Sequence, residues 1–181
     1  EACRFAHRHL AELYLEQNPW SAALHLRRVL HASPEDDTAH ALMGLCQALQ
    51  NNFRMAVTAF RRAVSLAPSN PWYNHNLGHL LDVALDAPSE ALPFLRRAHR
   101  AQPDQEEVGA SLVHCLGRLG LCAEAMATVQ MLRAKHPRHT DLRALEDWLR
   151  QGAPARPKRV RAEGGAEPGV RAPEIHAVGL R

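Results

Sequence analysis

With 181 residues, 46% hydrophobic and only 5% aromatic, the chain can build a core, yet no apolar run approaches the ~20 residues that span a membrane. The formal charge of +3 sits at one end: residues 1–150 carry 16 basic and 16 acidic side chains, whereas residues 151–181 carry six and three. A neutral body argues against a nucleic-acid interface driven by bulk charge.

In chain order, residues 3–17 read CRFAHRHLAELYLEQ, with Phe5, Ala6, Leu10 and Leu13 at helical spacing, and break at Asn18 and Pro19. A second helix from Trp20 to Ala32 places Ala22, Leu26 and Val29 on one side and is closed by Ser33 and Pro34. The stretch from Asp37 to Asn70 repeats this plan, with helices over 37–49 and 53–66 around an Asn51–Asn52 turn. A third copy starts at Pro71, a residue suited to a first helical turn, and its longer turn DAPSEA, from Asp86 to Ala91, offers Ser89 as an N-cap. The fourth turns at Gly120, whose missing side chain suits a helix C-terminus, before a helix from Cys122 to Lys135.

The copies superpose by counting. Gly44, Ala56, Phe60, Ala63 and Pro68 recur, at a period of about 34 residues, as Gly78, Ala91, Leu95, Ala98 and Pro103. One period earlier stand Leu10, Ala22, Leu26, Val29 and Pro34, and one period further on stand Val113, Ala125, Val129, Leu132 and Pro137. One extra residue, near Ala87 to Ser89, breaks the period. Gly44 and Ala56 have no bulk, so paired helices can approach closely there. This period, with its glycine after an apolar residue and its Ala-x3-Phe-then-Pro pattern, resembles the tetratricopeptide repeat over about three quarters of the chain. His40 and Asn74 stand where that family usually has Trp, and Val113 replaces its glycine.

The resemblance implies an all-α, right-handed α-solenoid of four helix pairs, at residues 3–36, 37–70, 71–105 and 106–139. Thr140 to Arg150 puts Leu142, Leu145, Trp148 and Leu149 on one face, as a capping helix over residues 140–150 must. From 151 to 181, five glycines and four prolines with few large apolar side chains predict a disordered basic tail, its KRVR at residues 158–161 read as a solvated linker. Among the four cysteines there is no CxxC pair. Cys46 and Cys115 are read as buried free thiols of a reducing, cytoplasmic compartment. Glu1 in place of an initiator methionine is expected of a fragment or a processed form, and the Ala-, Arg- and Leu-rich composition of a bacterial source.

In the family, the first helix of each pair lines a concave groove. In the third copy Leu77, Leu80, Leu81 and Ala84 face the core, which leaves Trp72, His75, Asn76, His79 and Asp82 for the groove. Shifting by the repeat adds Arg4, His7, Arg8 and Tyr14 from the first copy, Leu42, Leu45 and Leu49 from the second, and His114 and Arg118 from the fourth. The expected groove has an apolar floor of three leucines, an aromatic edge at Trp72 and polar flanks, and suits a peptide segment or amphipathic helix of another protein. Asn76 alone matches the Lys, Asn and Arg set with which related cochaperones hold a chaperone's C-terminal carboxylate, so that partner is not expected.

His75 and His79 lie four apart, with Asp82 or His114 as a third candidate ligand, but this spacing is weak and no metal or other cofactor is predicted. Arg27 and Arg28, Arg61 and Arg62, and Arg96 and Arg97 form a basic ladder on the second helices, read as a solvated convex face with acidic neighbours. No nucleophile elbow, phosphate loop, dinucleotide fingerprint or zinc-ligand cysteine set is present, so no enzyme is expected. The predicted function is a non-catalytic scaffold or adaptor in complex assembly. The alternatives are a bacterial secretion or assembly chaperone with a dedicated client, and the regulatory repeat region of a larger enzyme such as a glycosyltransferase.

Overall fold

The computed structural model describes residues 2–153, and within them every regular element is helical. The elements are α1 (Ala2–Tyr14), α2 (Pro19–Ala32), α3 (Asp37–Leu49), α4 (Phe53–Leu66), α5 (Pro71–His79), α6 (Pro88–Ala101), α7 (Glu106–Arg118), α8 (Cys122–Lys135) and α9 (Thr140–Arg150). Four antiparallel pairs stack into a solenoid, with α2, α4, α6 and α8 each also packing on the first helix of the next layer. The tail expected at 151–181 lies, from residue 154 onward, outside the described residues.

Side-chain caps start α2, α3 and α5. Asn18 accepts the Ser21 N–H (3.1 Å), Asp36 accepts that of Ala39 (2.9 Å), and Asn70 accepts those of Trp72 and Tyr73 (3.0 and 3.3 Å). Phe60, Leu26, Leu77, Leu95, Leu116 and Leu132 fill the space between layers. Gly44 lets α3 and α4 close up, because a Cβ there would lie 2.7 Å from the Phe60 ring. The fourth pair, with Val113 at the equivalent position, has its small residue one turn earlier, at Gly109 against Leu132.

The extra residue of the third copy is not in its turn. Asn51, Asp86 and Gly120 all have left-handed backbones (φ 60, 56 and 74°) and mark equivalent turn positions, the step from Asn51 to Asp86 being one residue longer than that from Asp86 to Gly120. The insertion therefore precedes Asp86. It is absorbed in a π-helical turn, Leu80–Ala84, that continues α5, where the Leu85 N–H reaches back five residues to Leu80 (3.0 Å). The turn after it is as short as the others, and Ser89 lies inside the first turn of α6 instead of capping it.

The two replacements of the usual Trp share a role. His40 Nε2 is 2.9 Å from the Pro34 carbonyl, and Asn74 Nδ2 donates to the Pro68 carbonyl at 2.9 Å and to that of Asn70 at 2.8 Å. Both side chains tie a first helix to the turn before it, at prolines one period apart. Asn74 is fully buried and its Oδ1 accepts from Arg97 (3.2 Å), so its amide costs little to bury.

Candidate functional site

The first-helix face splits into a polar end and an apolar centre. At the polar end, Asp82 lies in the π-helical turn with its side chain almost fully buried, 2.7 Å from His114 Nδ1 and accepting from Arg118 at 2.7 Å. Arg118 also donates to the Asp82 carbonyl and to the Asp86 carboxylate. Widening the turn leaves a carbonyl outside the ordinary i+4 ladder, and the α7 guanidinium meets it. One arginine thus staples the irregular turn to the next repeat.

Ser111 Oγ, on α7, is 2.9 Å from His75 Nε2 and 3.3 Å from His79 Nδ1, bridging two imidazoles one turn apart on α5. The His114 ring stacks on Trp148 of α9 (centroids 5.5 Å apart). The structure thus brings together His75, His79, Asp82, His114 and Arg118. It adds Ser111 and Trp148, which the sequence reading left out of the site; the repeat register carried a signal for Ser111, one turn from His114 on the same helix face.

Other predicted groove residues are placed differently. Leu42 and Leu45 are each 1% exposed: α3 needs both to pack within the stack, so the expected floor of three leucines is core, with only Leu49 open at 38%. Trp72 is buried with Ala98 and Val108 and meets His75 edge-on, so it is no open aromatic edge, and Asn76 is buried as well. His7 contacts His25 of α2 (Nδ1 to Nδ1, 2.9 Å), and Tyr14 stacks on that same ring at 5.9 Å. Desolvation, then the charges of His7 and Arg28, holds His25 below the ordinary imidazole pKa. Arg8 is 3.9 Å from Asp36, and Arg4 sits in the first turn of α1.

A different apolar stripe is open. Leu49 and Val83, one period apart at equivalent helix ends, are 38% and 39% exposed, with Tyr14 beside the equivalent position in α1. The next equivalent position is Arg118. Among the described residues no group of three or more His, Cys, Asp or Glu side chains is placed to share a metal ion, since His114 and Asp82 face each other and Arg118.

The arginine ladder consists of ties between layers. Arg61 pairs with Glu90, and Arg96 pairs with Glu124 through two bonds of 3.1 and 2.6 Å, the same two repeat positions each time. Arg62 is 3.9 Å from Glu35, and Arg97 lies over Phe94. One layer earlier the rung is missing, since Met55 stands opposite in register to Arg27 where the later layers have Glu90 and Glu124. Arg27 and Arg28 are exposed.

A stack of regularly repeated helix pairs, followed by a single helix packed on the last pair, is a protein-interaction scaffold in architecture. A tetratricopeptide-repeat family model matches residues 83–149. Tetratricopeptide repeat protein 37 of Xenopus laevis is 26% identical over 165 residues, which is 84% of this chain but 10% of that protein. The chain spans about a tenth of the length of that curated relative. Among solved structures, YrrB, described as a tetratricopeptide protein with an unusual peptide-binding site, superposes with a TM-score of 0.74 at 23% identity, covering 80% of this chain and 75% of that one. An O-GlcNAc transferase variant of Thermobaculum terrenum superposes at 0.66 and 25% identity over 74% of this chain and only 26% of the enzyme. Residues 83–149 thus match the tetratricopeptide-repeat family, and the array as a whole has the fold of tetratricopeptide solenoids. No helix among the described residues is long and apolar enough to cross a membrane.

Proposed function

We propose that the chain is a non-catalytic adaptor whose first-helix face binds a peptide segment or amphipathic helix of another protein. The observation that carries this reading is the open pair of Leu49 and Val83, in repeat register, with the exposed Tyr14 one residue from the equivalent position in α1 and the polar group of His79, Ser111, His114 and Arg118 in the following layers. Exposed apolar side chains repeated along one face offer evenly spaced contacts to an extended or helical ligand. Half-buried imidazoles and a hydroxyl beside them supply donors and acceptors that orient it. The description of YrrB as carrying a peptide-binding site agrees with this reading. A second reading, a repeat region serving a larger enzyme, is favoured by the match to one quarter of the transferase.

Selection from a random peptide library, followed by fluorescence polarisation, tests the adaptor reading. Leu49→Glu with Val83→Glu should weaken the selected peptides at least ~10-fold, about 1.4 kcal/mol. Met55→Glu, an exposed change on the second-helix side, should leave them unaffected. Peptides that bind all three proteins alike would remove the stripe as the working surface.

A further inference from the structure

The second-helix side carries one patch that the repeat does not call for. Trp20, Leu24 and Met55 are 73%, 55% and 60% exposed. In the later layers Arg54, Ser89 and Ala123 stand at the position of Trp20, and Thr58, Pro93 and Ala127 at that of Leu24, and all six are exposed as well. These positions face outward in every layer, so their exposure does not come from standing at one end of the array. Only the first layer fills them with large apolar side chains. Trp20, Leu24 and the exposed Arg27 and Arg28 follow one another at helical spacing along one stripe of α2, about 12 Å long at ~1.5 Å per residue.

The same patch lacks a carboxylate. Arg61 and Arg96 each receive one from the layer after them, the second through a two-bond fork, whereas the position opposite Arg27 holds Met55. Neither α2 nor α4 contains an acidic residue; carboxylates stand only in the turns, at Glu16 before α2 and at Glu35 after it, and Glu35 is 3.9 Å from Arg62. Arg27, Arg28 and Arg54 thus surround three apolar side chains, with no ion pair to any of the three among the described residues. We infer that this patch docks an acidic, amphipathic segment of another protein. Its apolar side chains cover Trp20, Leu24 and Met55, and one of its carboxylates takes on Arg27 the place that Glu90 holds on Arg61. Charge decides against the other occupants. Residues 151–181, with six basic and three acidic side chains, carry the wrong sign, and a second copy would bring the same arginines. A nucleic-acid strand would find no stacking surface on Leu24 or Met55 and no excess charge on the neutral body of the chain. The site is separate from the first-helix face and does not depend on what binds there.

The probes are fluorescein-labelled peptides of ~12 residues in which Asp or Glu alternates with Leu and Phe, the same peptides with Lys for the acids, and a single-stranded DNA of ~12 nucleotides. Fluorescence polarisation with the full chain should show the acidic peptides binding at ~10–100 µM, as a small footprint allows, and the Lys peptides at least ~10-fold more weakly. Binding should weaken as salt is raised. It should also protect Trp20 from acrylamide quenching, since Trp72 is already buried and Trp148 half-buried. Trp20→Ala and Arg27→Glu, both at exposed positions, should each weaken the acidic peptides at least ~10-fold, and so should Met55→Glu, which gives Arg27 the carboxylate that later layers have. Met131→Glu, an exposed change on α8, should bind like the parent chain. Ligands of the first-helix face are indifferent to Met55→Glu, which keeps the two surfaces distinguishable. Acidic peptides that bind no better than their Lys counterparts, or that bind the parent and all the variants alike, overturn the proposal. So does DNA that binds more tightly than the acidic peptides and is lost with Arg27→Glu, or an average mass above 20.1 kDa that Trp20→Ala returns to that value, since either gives the patch to another occupant.

Discussion

At Gly44 a single methyl group decides how closely α3 and α4 pack. Its Cβ would lie 2.7 Å from two carbons of the Phe60 ring, which is itself fully buried and has nowhere to swing. Gly44→Ala should therefore lower stability by ~1–3 kcal/mol in urea titration, and Phe60→Leu in the same chain should recover part of the loss. A second prediction concerns the thiols. Burial pushes Cys46 and Cys115 up to about 12 from an ordinary 9.0, so folding favours their neutral forms. That contribution is complete below pH 9 and is lost as pH rises from 9 toward 12, so the urea midpoint should fall across that window. In a Cys3→Ser background at pH 8, a thiol reagent should titrate the half-buried Cys122 alone until the protein unfolds. A midpoint flat to pH 11 would contradict the burial of the two thiols.

At the scale of elements, the staple from α7 to the widened turn of α5 carries the next prediction. The Asp82 carboxylate is 2% exposed and Arg118 a quarter exposed, so removing either leaves a poorly solvated charge. Asp82→Asn and Arg118→Met should each cost about 2–4 kcal/mol, the lower end reflecting the access of water to Arg118. Their double mutant should cost less than the sum, by ~1–3 kcal/mol; strict additivity would dissolve the staple. Helix pairs, their turns and the capping segment were legible in the sequence because period, punctuation and small residues agree there. The widened turn was not, since counting between Gly78 and Ala91 shows that a residue is added without showing which hydrogen bond stretches to admit it. Leu42 and Leu45 were misplaced for a related reason. One face of an isolated helix accounts for only part of the surface it buries, and α3 is packed by α2 as well as by α4.

For the whole molecule, stability should divide by layer, since each pair touches only its neighbours. The last described helix, α9, packs on α7 and α8, with Leu142 and Leu149 buried, Trp148 against Gly117 and His114, and a buried Glu146 held by Arg133 and Arg150. That buried carboxylate was not legible, because its partners lie on α8 and on the next turn, where charge looks like ordinary solvated surface. Leu142→Ala should cost ~2–4 kcal/mol locally by opening a cavity between the cap and the last pair. Hydrogen exchange read by mass spectrometry should then quicken in α7, α8 and α9, while α1 to α4 keep their rates. The Arg61–Glu90 and Arg96–Glu124 rungs are exposed pairs and add little to this coupling, so it rests on buried contacts between adjacent layers. Equal acceleration along the whole chain would mean that the array opens as one cooperative unit, and that the cap stabilises all four pairs at once.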